Sequence, residues 1–304
     1  MQLDTRQLTA FEAVLHEGSF EAAARRLHVT PSAISQRIKL LEERLGRVLI
    51  RRSSPCVATE AGGALQRYVQ QLALLEAQAL APFGLGDAAG AARGAAAARL
   101  PLAIAVNADS LATWFVPALA AVQAEHAVTF QLLVEDQDHS SDLLRQGRVI
   151  AAVSAEPRAV QGCEVMPLGA MRYLAVASPA YRRRWFAQGL SDAALAEAPC
   201  CVFNRKDELQ SRFLRRLTRR RVQPPQHQVP STHGFIHAAV QGLGWGMNPQ
   251  VLVEPLLRSG ELVELAPGRH LDVPLYWQHW RLDLALMRAL RDAVREAARA
   301  MLID

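Results

Sequence analysis

Hydrophobic residues recur at helical spacing in three short segments near the start of the chain, and capping residues mark where each segment begins and ends. Thr5 can cap the first segment, and Gly18 stands where a left-handed residue would end it. Ser19 can then cap a second segment that is rich in alanine, a composition that lets a neighbouring helix approach closely. The pattern therefore predicts two short helices joined by a tight turn.

The third segment starts with Thr30 as an N-cap and Pro31 at the first helical position, and it ends at Gly46. Its apolar stripe consists of Ile34, Ile38, Leu41 and Leu45. Polar and cationic side chains occupy the rest of its surface. Two short helices followed by such a third helix predict a helix-turn-helix, in which the third helix enters the major groove of DNA. The stretch from Val48 to Arg52 is predicted to be a strand of a wing, and Thr59 is predicted to cap the next helix.

Hydroxyl, amide and guanidinium groups on this third helix and wing are suited to base edges and phosphates. Residues 25–52 hold eight basic and two acidic residues, so most of the excess positive charge of the chain, which is +5 overall, lies in this stretch. Basic helices also occur in bundles that bind no nucleic acid, so the pattern alone leaves a solvated basic face open. The candidate DNA-binding residues are Thr30, Ser32, Ser35, Gln36, Arg37, Lys39, Arg51 and Arg52.

A long helix without proline is predicted to follow the wing. Apolar residues at spacings of three and four form a coiled-coil seam along it, which favours a dimer, and packing of the same residues against the helix-turn-helix is the alternative. The candidate dimerisation residues are Leu65, Tyr68, Leu72 and Leu75. The Ala/Gly-rich stretch from Pro82 to Arg99 is typical of a hinge.

In the remainder of the chain, apolar runs alternate with helical patterns, which predicts α/β units with a mainly parallel sheet. The predicted strands are Leu100 to Val106, Val128 to Val134, Val149 to Ser154, Tyr173 to Ala177, Cys200 to Phe203 and Pro274 to His279. The predicted helices are Leu111 to Glu125, Ser140 to Gln146, Leu209 to Arg220, Phe235 to Gly242 and Pro249 to Ser259. Such sheets bind ligands beyond the carboxyl ends of their strands.

Polar residues follow two of these strands and precede one of the helices. Helix starts offer N–H donors to a carboxylate, and the acids that follow the second strand suit a cation, so the combination fits an amino acid. Helix capping and a solvated acidic loop are the alternative roles. The candidate effector-binding residues are Asp109, Ser110, Glu135, Asp136, Asp138, Ser231 and Thr232.

Other features narrow the class of protein. The chain has no long uncharged apolar run, so neither a membrane span nor a signal peptide is expected. Its four cysteines lack the spacing of a metal site, and no cofactor or metal is expected. No nucleophile elbow, phosphate loop or dinucleotide fingerprint supports an enzyme, and the N-terminal helices oppose a solute-binding protein without a regulatory role.

Residues 3–64 resemble the DNA-binding domain of LysR-type transcriptional regulators. The resemblance is carried by FEAVLHEGSFEAAARRLHVTPSAISQRIKLLEERLGRVLIRR and the later TEAG. It implies that Ser32, Ser35, Gln36 and Arg37 face the groove and that Arg51 contacts the DNA backbone. Pro31 departs from the family, which usually carries a base-reading glutamine there, and this departure predicts a different operator preference.

The whole chain is similar, more narrowly, to the ArgP, LysG and IciA subfamily. NADSLATWFVPAL, LLVEDQDHSSDLLRQGRVIAAVS, LGAMRYLAVASP, LGWGMNP and LYWQHW carry this similarity. It implies a cytoplasmic regulator with a periplasmic-binding-protein-like sensor that responds to lysine or arginine and controls genes such as a basic amino-acid exporter. Asn248 departs from the subfamily, which usually carries an aliphatic residue before Pro249, and the segment FNRKDELQ is more basic than expected beside a cationic ligand, so a different effector is the alternative.

These inferences together define an α/β protein with an N-terminal winged helix-turn-helix. The expected partners are promoter DNA, a small effector, RNA polymerase and further copies of the chain in a homodimer or homotetramer. The predicted domains are a DNA-binding domain at 1–60, a linker helix at 59–82, a hinge at 83–99 and an effector domain at 100–304. Within the effector domain, lobe I is predicted at about 100–173 and 275–304, and lobe II at about 174–274.

Overall fold

The computed structural model describes residues 3–80, 99–135 and 140–303. These residues form two compact units. The first comprises the described residues through Ala103 together with Ala127–Thr129 and Asp142–Ile150, and the second comprises the other described residues. Asp136, Asp138 and all of the predicted hinge except Arg99 lie outside the described residues.

Three helices open the first unit: α1 (Thr5–Glu17), α2 (Phe20–Arg26) and α3 (Pro31–Leu45). The prediction that Thr5 caps α1 is wrong, because the carboxylate of Asp4 accepts the capping hydrogen bond from the N–H of Arg6. The other predicted ends are confirmed, since Ser19 and Thr30 cap α2 and α3, and Gly18 and Gly46 adopt left-handed conformations at the ends of α1 and α3. Capping is a local interaction, so neighbouring residues largely determine it.

A two-stranded wing follows, formed by β1 (Ile50–Arg51) and the antiparallel β2 (Val57–Ala58), and it leads into helix α4 (Glu60–Leu80). The Glu42 carboxylate at the end of α3 accepts hydrogen bonds from the N–H groups of Leu49 and Ile50, at 2.8 and 3.3 Å. The hydroxyl of Thr59 caps α4 and donates to the carbonyl of Val48 at 2.7 Å. These side chains fix the wing to both flanking helices.

Gly62 allows α4 to lie directly against the wing. A Cβ atom added at this position would come within 2.0 Å of the carbonyl oxygen of Leu49. No side chain fits there without displacement of the backbone, so the contact between α4 and the wing requires glycine.

The larger sheet has seven strands, in the order β10-β6-β11-β5-β3-β4, with β9 paired to β6. The strands are β3 (Leu100–Val106), β4 (Val128–Val134), β5 (Ala151–Ser154), β6 (Cys163–Ala177), β9 (Gly246–Pro249), β10 (Val263–Glu264) and β11 (His270–Trp280). A separate parallel pair joins β7 (Cys200–Val202) to β8 (Gln226–Gln228). Most of these residues belong to the second unit.

The prediction of a mainly parallel sheet is wrong. Of the pairings described for the larger sheet, β3 with β5 is parallel, whereas β11 with β5 and β6 with β9, β10 and β11 are antiparallel. The antiparallel pairings all involve β6 or β11, two strands of 15 and 11 residues that run side by side in opposite directions. The sequence pattern indicated only the most apolar part of each strand.

An ion pair links the two long strands. Arg172 and Asp272 stand opposite each other in the register, and their side chains form two hydrogen bonds of 2.7 and 2.9 Å. The guanidinium of Arg172 lowers the pKa of the Asp272 carboxyl below its ordinary value. The ion pair therefore stabilises the pairing of β6 with β11 while Asp272 is ionised.

The helices around these strands are α5 (Ala108–Ser110), α6 (Val116–Glu125), α7 (Ser140–Arg145), α8 (Pro179–Trp185), α9 (Asp192–Glu197), α10 (Leu209–Leu217), α11 (Thr232–Val240), α12 (Gln250–Ser259) and α13 (Ala285–Arg299). A turn of π-helix, Leu111–Phe115, joins α5 to α6. The sequence predictions did not include α8, α9 and α13. Helix α13 could have been found, because its buried residues Met287, Leu290, Val294 and Ala298 recur at helical spacing.

Candidate DNA-binding surface and effector pocket

The first turns of α3 carry an exposed polar surface. Thr30, Ser32 and Gln36 are exposed, and Ser35 and Arg37 are half-buried. The Thr30 hydroxyl accepts a hydrogen bond from the N–H of Ala33 at 3.2 Å and lies 3.0 Å from the Ser32 hydroxyl. Thr30 and Ser32 are held by short-range contacts and, like Gln36, remain open to solvent, which suits contact with the edges of bases.

Three cations flank this surface. Lys39 forms an exposed ion pair with Glu43, with 3.7 Å between the nitrogen and the oxygen. On the wing, Arg51 is exposed, and the guanidinium of Arg52 lies 4.9 Å from the centre of the Phe20 ring. Each of the three could pair with a phosphate, but Lys39 would first have to leave a carboxylate.

The predicted dimerisation residues do not share one environment. Leu65 is 8 % exposed and belongs to the hydrophobic core that α4 shares with α1, α3 and the wing. This is the alternative role that the sequence left open, and Leu65 is reassigned to the core on this ground. Tyr68 and Leu75 are 47 % and 48 % exposed, and Leu72 is half-buried, so these three remain the predicted dimer seam.

A pocket of about 110 Å³ lies within the second unit, where the ends of β3 and β4 meet the loop after β7, the start of α11 and strand β9. Its wall contains both apolar side chains and polar groups. Its described lining consists of Asn107, Ala108, Asp109, Val134, Glu135, Phe203, Asn204, Asp207, Leu209, Thr232, Phe235, Met247, Asn248 and Pro249. The lining includes three acids and, among the described residues, no lysine or arginine.

Asp109 is held in this pocket by hydroxyl groups from distant parts of the chain. Its two carboxylate oxygens accept hydrogen bonds of 2.8 Å, one from the hydroxyl of Tyr173 on β6 and one from the hydroxyl of Thr232 at the start of α11. The N-cap position of α5 is occupied by Asn107, so Asp109 does not have the capping role that the sequence left open. These bonds orient the carboxylate group towards both elements.

Glu135 and Asp207 bring two further carboxylates to the wall. Glu135 Oε1 lies 3.4 Å from the ammonium nitrogen of Lys206. Asp207 accepts hydrogen bonds from the N–H groups of Phe203 and Leu209, at 2.8 and 3.0 Å. Burial raises the pKa of Asp207, although these backbone donors favour its charged form.

The remaining candidates lie away from the pocket lining. Ser110 is fully buried on α5, and the Ser231 hydroxyl caps α11 by accepting from the N–H of Gly234 at 3.2 Å. Neither lines the pocket, and their effector roles stay predictions. Asp136 and Asp138 lie outside the described residues.

Other groups with reactive chemistry are inert in this fold. Burial raises the pKa of Cys200 to about 12 and that of Cys201 to about 11, so both remain protonated thiols at neutral pH. Within the described ranges, no group of His, Cys, Asp and Glu is arranged to hold a metal ion. No helix in the same ranges has the length and apolar composition needed to cross a bilayer.

Comparison with known protein families places both halves of the chain. Residues 5–63 match the bacterial regulatory helix-turn-helix protein family of the lysR type, and residues 95–299 match the LysR substrate binding domain. The second match alone covers more than half of the chain. The chain belongs to the LysR family of bacterial transcriptional regulators.

Similar LysR-family proteins cover nearly the full length. The HTH-type transcriptional regulator LysG of Mycobacterium tuberculosis is 49% identical over 297 residues, which are 98% of this chain and 94% of that protein. The lysine export transcriptional regulatory protein LysG of Corynebacterium glutamicum is 41% identical over 297 residues, 96% and 97% of the two chains. A structure of full-length LysG from Corynebacterium glutamicum with bound effector Arg is 39% identical, has a TM-score of 0.76 and covers 99% of this chain and 100% of its own. The predicted winged helix-turn-helix regulator of mixed α/β fold and its ArgP/LysG subfamily are confirmed.

Sequence reasoning missed several residues that line or support the pocket of this LysR-family chain. Tyr173 donates a hydrogen bond to Asp109 but lies in an apolar strand. Asp207 is itself one of the pocket carboxylates but lies in a basic loop, so no local sequence pattern marked either residue. Phe203 and Phe235 were predicted only as parts of elements. Asn248 had a usable signal, since it departs from the subfamily pattern, and it lines the pocket with its amide donating to the carbonyl of Gly246 at 3.2 Å.

Proposed function

We propose that this LysR-family regulator binds L-arginine or L-lysine in the pocket of its second unit and changes transcription in response. The observation that carries the proposal is the set of three carboxylates, Asp109, Glu135 and Asp207, in a described lining without lysine or arginine. An ammonium or guanidinium group is the natural partner for such a wall, because half-buried carboxylates gathered in one pocket are stabilised by cations or hydrogen-bond donors.

The rest of the lining suits the other parts of a basic amino acid. The pocket contains the start of α11 at Thr232, and the positive end of a helix dipole favours a carboxylate. Phe203, Phe235 and Met247 offer apolar surface to the methylene groups between the two charged ends. A basic amino acid combines all three features in one molecule.

The relatives support this choice of effector. The Corynebacterium glutamicum protein is named for lysine export, and its structure holds arginine as effector. We therefore propose that this chain controls genes such as a basic amino-acid exporter. It would act in the cytoplasm, where promoter DNA and the free amino acid are both present.

The DNA-binding step is assigned to α3 and the wing. Thr30, Ser32, Ser35, Gln36 and Arg37 would face the major groove, and Lys39, Arg51 and Arg52 would approach phosphates. Two copies joined along Tyr68, Leu72 and Leu75 of α4 would present two such helices to a palindromic site. The resulting homodimer or homotetramer would then contact RNA polymerase at the promoter.

Calorimetry with the purified full chain tests the effector. We expect L-arginine or L-lysine to bind, and we expect Asp109→Asn to weaken that binding about 10- to 100-fold, because it removes the charge that a cation contacts. Asp142→Asn, which changes an exposed acid on α7, is the matched control and should leave the affinity unchanged. Absence of binding by both amino acids would contradict the proposed effector.

Footprinting on the upstream DNA of the chain's own gene tests the regulatory step. Protection should cover a palindromic site and change in extent or position when the amino acid is added, because the effector must favour one of two arrangements. Equal protection of random DNA would contradict the DNA-binding assignment.

A further inference from the structure

Lys206 lies between Arg205 and the pocket-lining Asp207, in the loop after β7, next to a pocket whose described lining holds three acids and no lysine or arginine. The loop that carries it is rigid, because the N–H of Lys206 donates to the Asn204 side chain at 2.7 Å and Asp207 accepts from two backbone N–H groups of the same loop. The backbone position of Lys206 is therefore fixed by local hydrogen bonds. Its side chain is half-exposed and is not held by these backbone hydrogen bonds.

That side chain reaches across to the opposite wall. The ammonium nitrogen lies 3.4 Å from Oε1 of Glu135, which follows β4, whereas Lys206 follows β7. The Lys206 and Glu135 side chains remain 51% and 35% exposed, so water screens their attraction. An ion pair of this exposure is weak and can be exchanged for another cation.

We propose that Lys206 is a tethered substitute for the cationic group of the effector. In the ligand-free protein its ammonium neutralises Glu135, and on binding the ammonium or guanidinium of the effector displaces it. This inference rests on the proposed function and adds a regulatory property to the same pocket. The competition explains why a basic loop lies beside a site for a basic ligand.

Internal competition has a defined consequence for the response. The effector must replace an existing ion pair, so its apparent affinity is lower than the pocket would otherwise allow, and the regulator responds only at higher effector concentrations. If Lys206 instead bound the carboxylate of the effector, its removal would have the opposite effect. The sign of the change in affinity therefore distinguishes the two roles.

Calorimetric titration of L-arginine into four proteins tests the proposal. We expect Lys206→Met to bind about two- to fivefold more tightly than the parent, which is the worth of an exposed ion pair. Lys206→Arg keeps the charge and should match the parent. Arg205→Met removes the neighbouring exposed charge, which forms no ion pair with the described acids, and it should also match the parent.

The outcomes separate the two proposals. Binding by the parent with equal or weaker binding by Lys206→Met overturns the role of Lys206 and leaves the proposed function standing. Binding of L-arginine by Lys206→Met but not by the parent supports the proposal, because Lys206 would then block the effector completely. Binding by neither protein overturns the proposed function and this inference together.

Selective isotope labelling gives a second, direct readout. Lys39 and Lys206 are the two lysines of the sequence, so a protein labelled at the lysine ε-carbon shows two signals. Saturation with unlabelled L-arginine should shift the Lys206 signal and leave that of Lys39, which pairs with Glu43 on α3, in place. An unchanged Lys206 signal at saturation would overturn displacement.

Discussion

The candidate DNA-binding surface on α3 and the candidate effector pocket both use polar side chains at helix starts, but they hold them by interactions of different range. On α3, the Thr30 hydroxyl bonds within three residues of its own position. In the pocket, the two hydroxyls that hold Asp109 are 64 and 123 residues away in sequence, and Lys206 is 71 residues from Glu135. A surface built from local contacts can be inferred from neighbouring letters, whereas a pocket built from distant contacts depends on the completed fold.

The comparison predicts that a substitution in one region changes the property of that region and leaves the other region unaffected. Gly62→Ala should have the largest effect. The added methyl group meets the Leu49 carbonyl, and overpacking against the backbone should lower the free energy of unfolding of the first unit by about 3 kcal/mol. All five tryptophans lie in the second unit, so tryptophan fluorescence in urea reports that unit alone, whereas far-UV circular dichroism reports both units. The dichroism should show an earlier transition than the fluorescence.

Gly46→Ala provides the matched control for that substitution. Gly46 has a positive φ of 65° but no atom near its added Cβ, so strain alone applies and the cost should be about 1 kcal/mol. Equal effects of the two substitutions would show that the contact between α4 and the wing does not limit stability. Arginine affinity should stay the same in both proteins.

Arg37→Ala tests whether α3 contributes to operator binding independently of the pocket. Loss of this half-buried guanidinium on α3 should weaken operator binding about tenfold and reduce the salt dependence of binding, with arginine affinity and folding unchanged. Arg44→Ala, which removes an exposed charge in the last turn of α3, is the control and should have a smaller effect. Binding by Arg37→Ala equal to the parent across a salt series would remove this residue from the interface.

Tyr173→Phe makes the reciprocal test in the pocket. Without the Tyr173 hydroxyl, Asp109 loses a donor that orients it, so effector affinity should fall about fivefold, the worth of one hydrogen bond. Operator binding in the absence of effector should be unchanged, as measured by fluorescence anisotropy. A loss of operator binding without any change in effector affinity would contradict the division of roles.

The smallest expected effect is that of Asp272→Asn in the pairing of β6 with β11. Because Arg172 lowers the pKa of Asp272 in the folded protein, the pair contributes stability above the unfolded pKa of about 3.9, and this contribution is lost as the pH falls through the folded pKa. Both side chains are about one-third exposed, so the loss at pH 7 should be only about 0.5 kcal/mol. Urea unfolding of parent and variant, followed by tryptophan fluorescence, should converge as the pH is lowered towards 2.

Features that depend on local contacts were mostly predicted from the sequence, whereas features that depend on distant contacts were mostly missed. The ends of α2 and α3 were predicted because Ser19, Thr30 and Gly46 act on adjacent residues. The role of Asp109 was predicted only as a candidate, since the donors Tyr173 and Thr232 become its neighbours through the crossing of β6 and the placement of α11. The direction of the sheet was mispredicted for the same reason, because strand order is a property of the whole domain.

The bare backbone at Gly62 also has a mechanical consequence. Helix α4 lies directly against the carbonyl of Leu49, just before β1, and the Thr59 hydroxyl is bonded to the neighbouring Val48, so no side chain separates the helix from this segment. Rotation of α4 about its axis must therefore turn the wing with it. A torque applied along α4 would be transmitted directly to Arg51 and Arg52 of the wing, the residues proposed to approach phosphates.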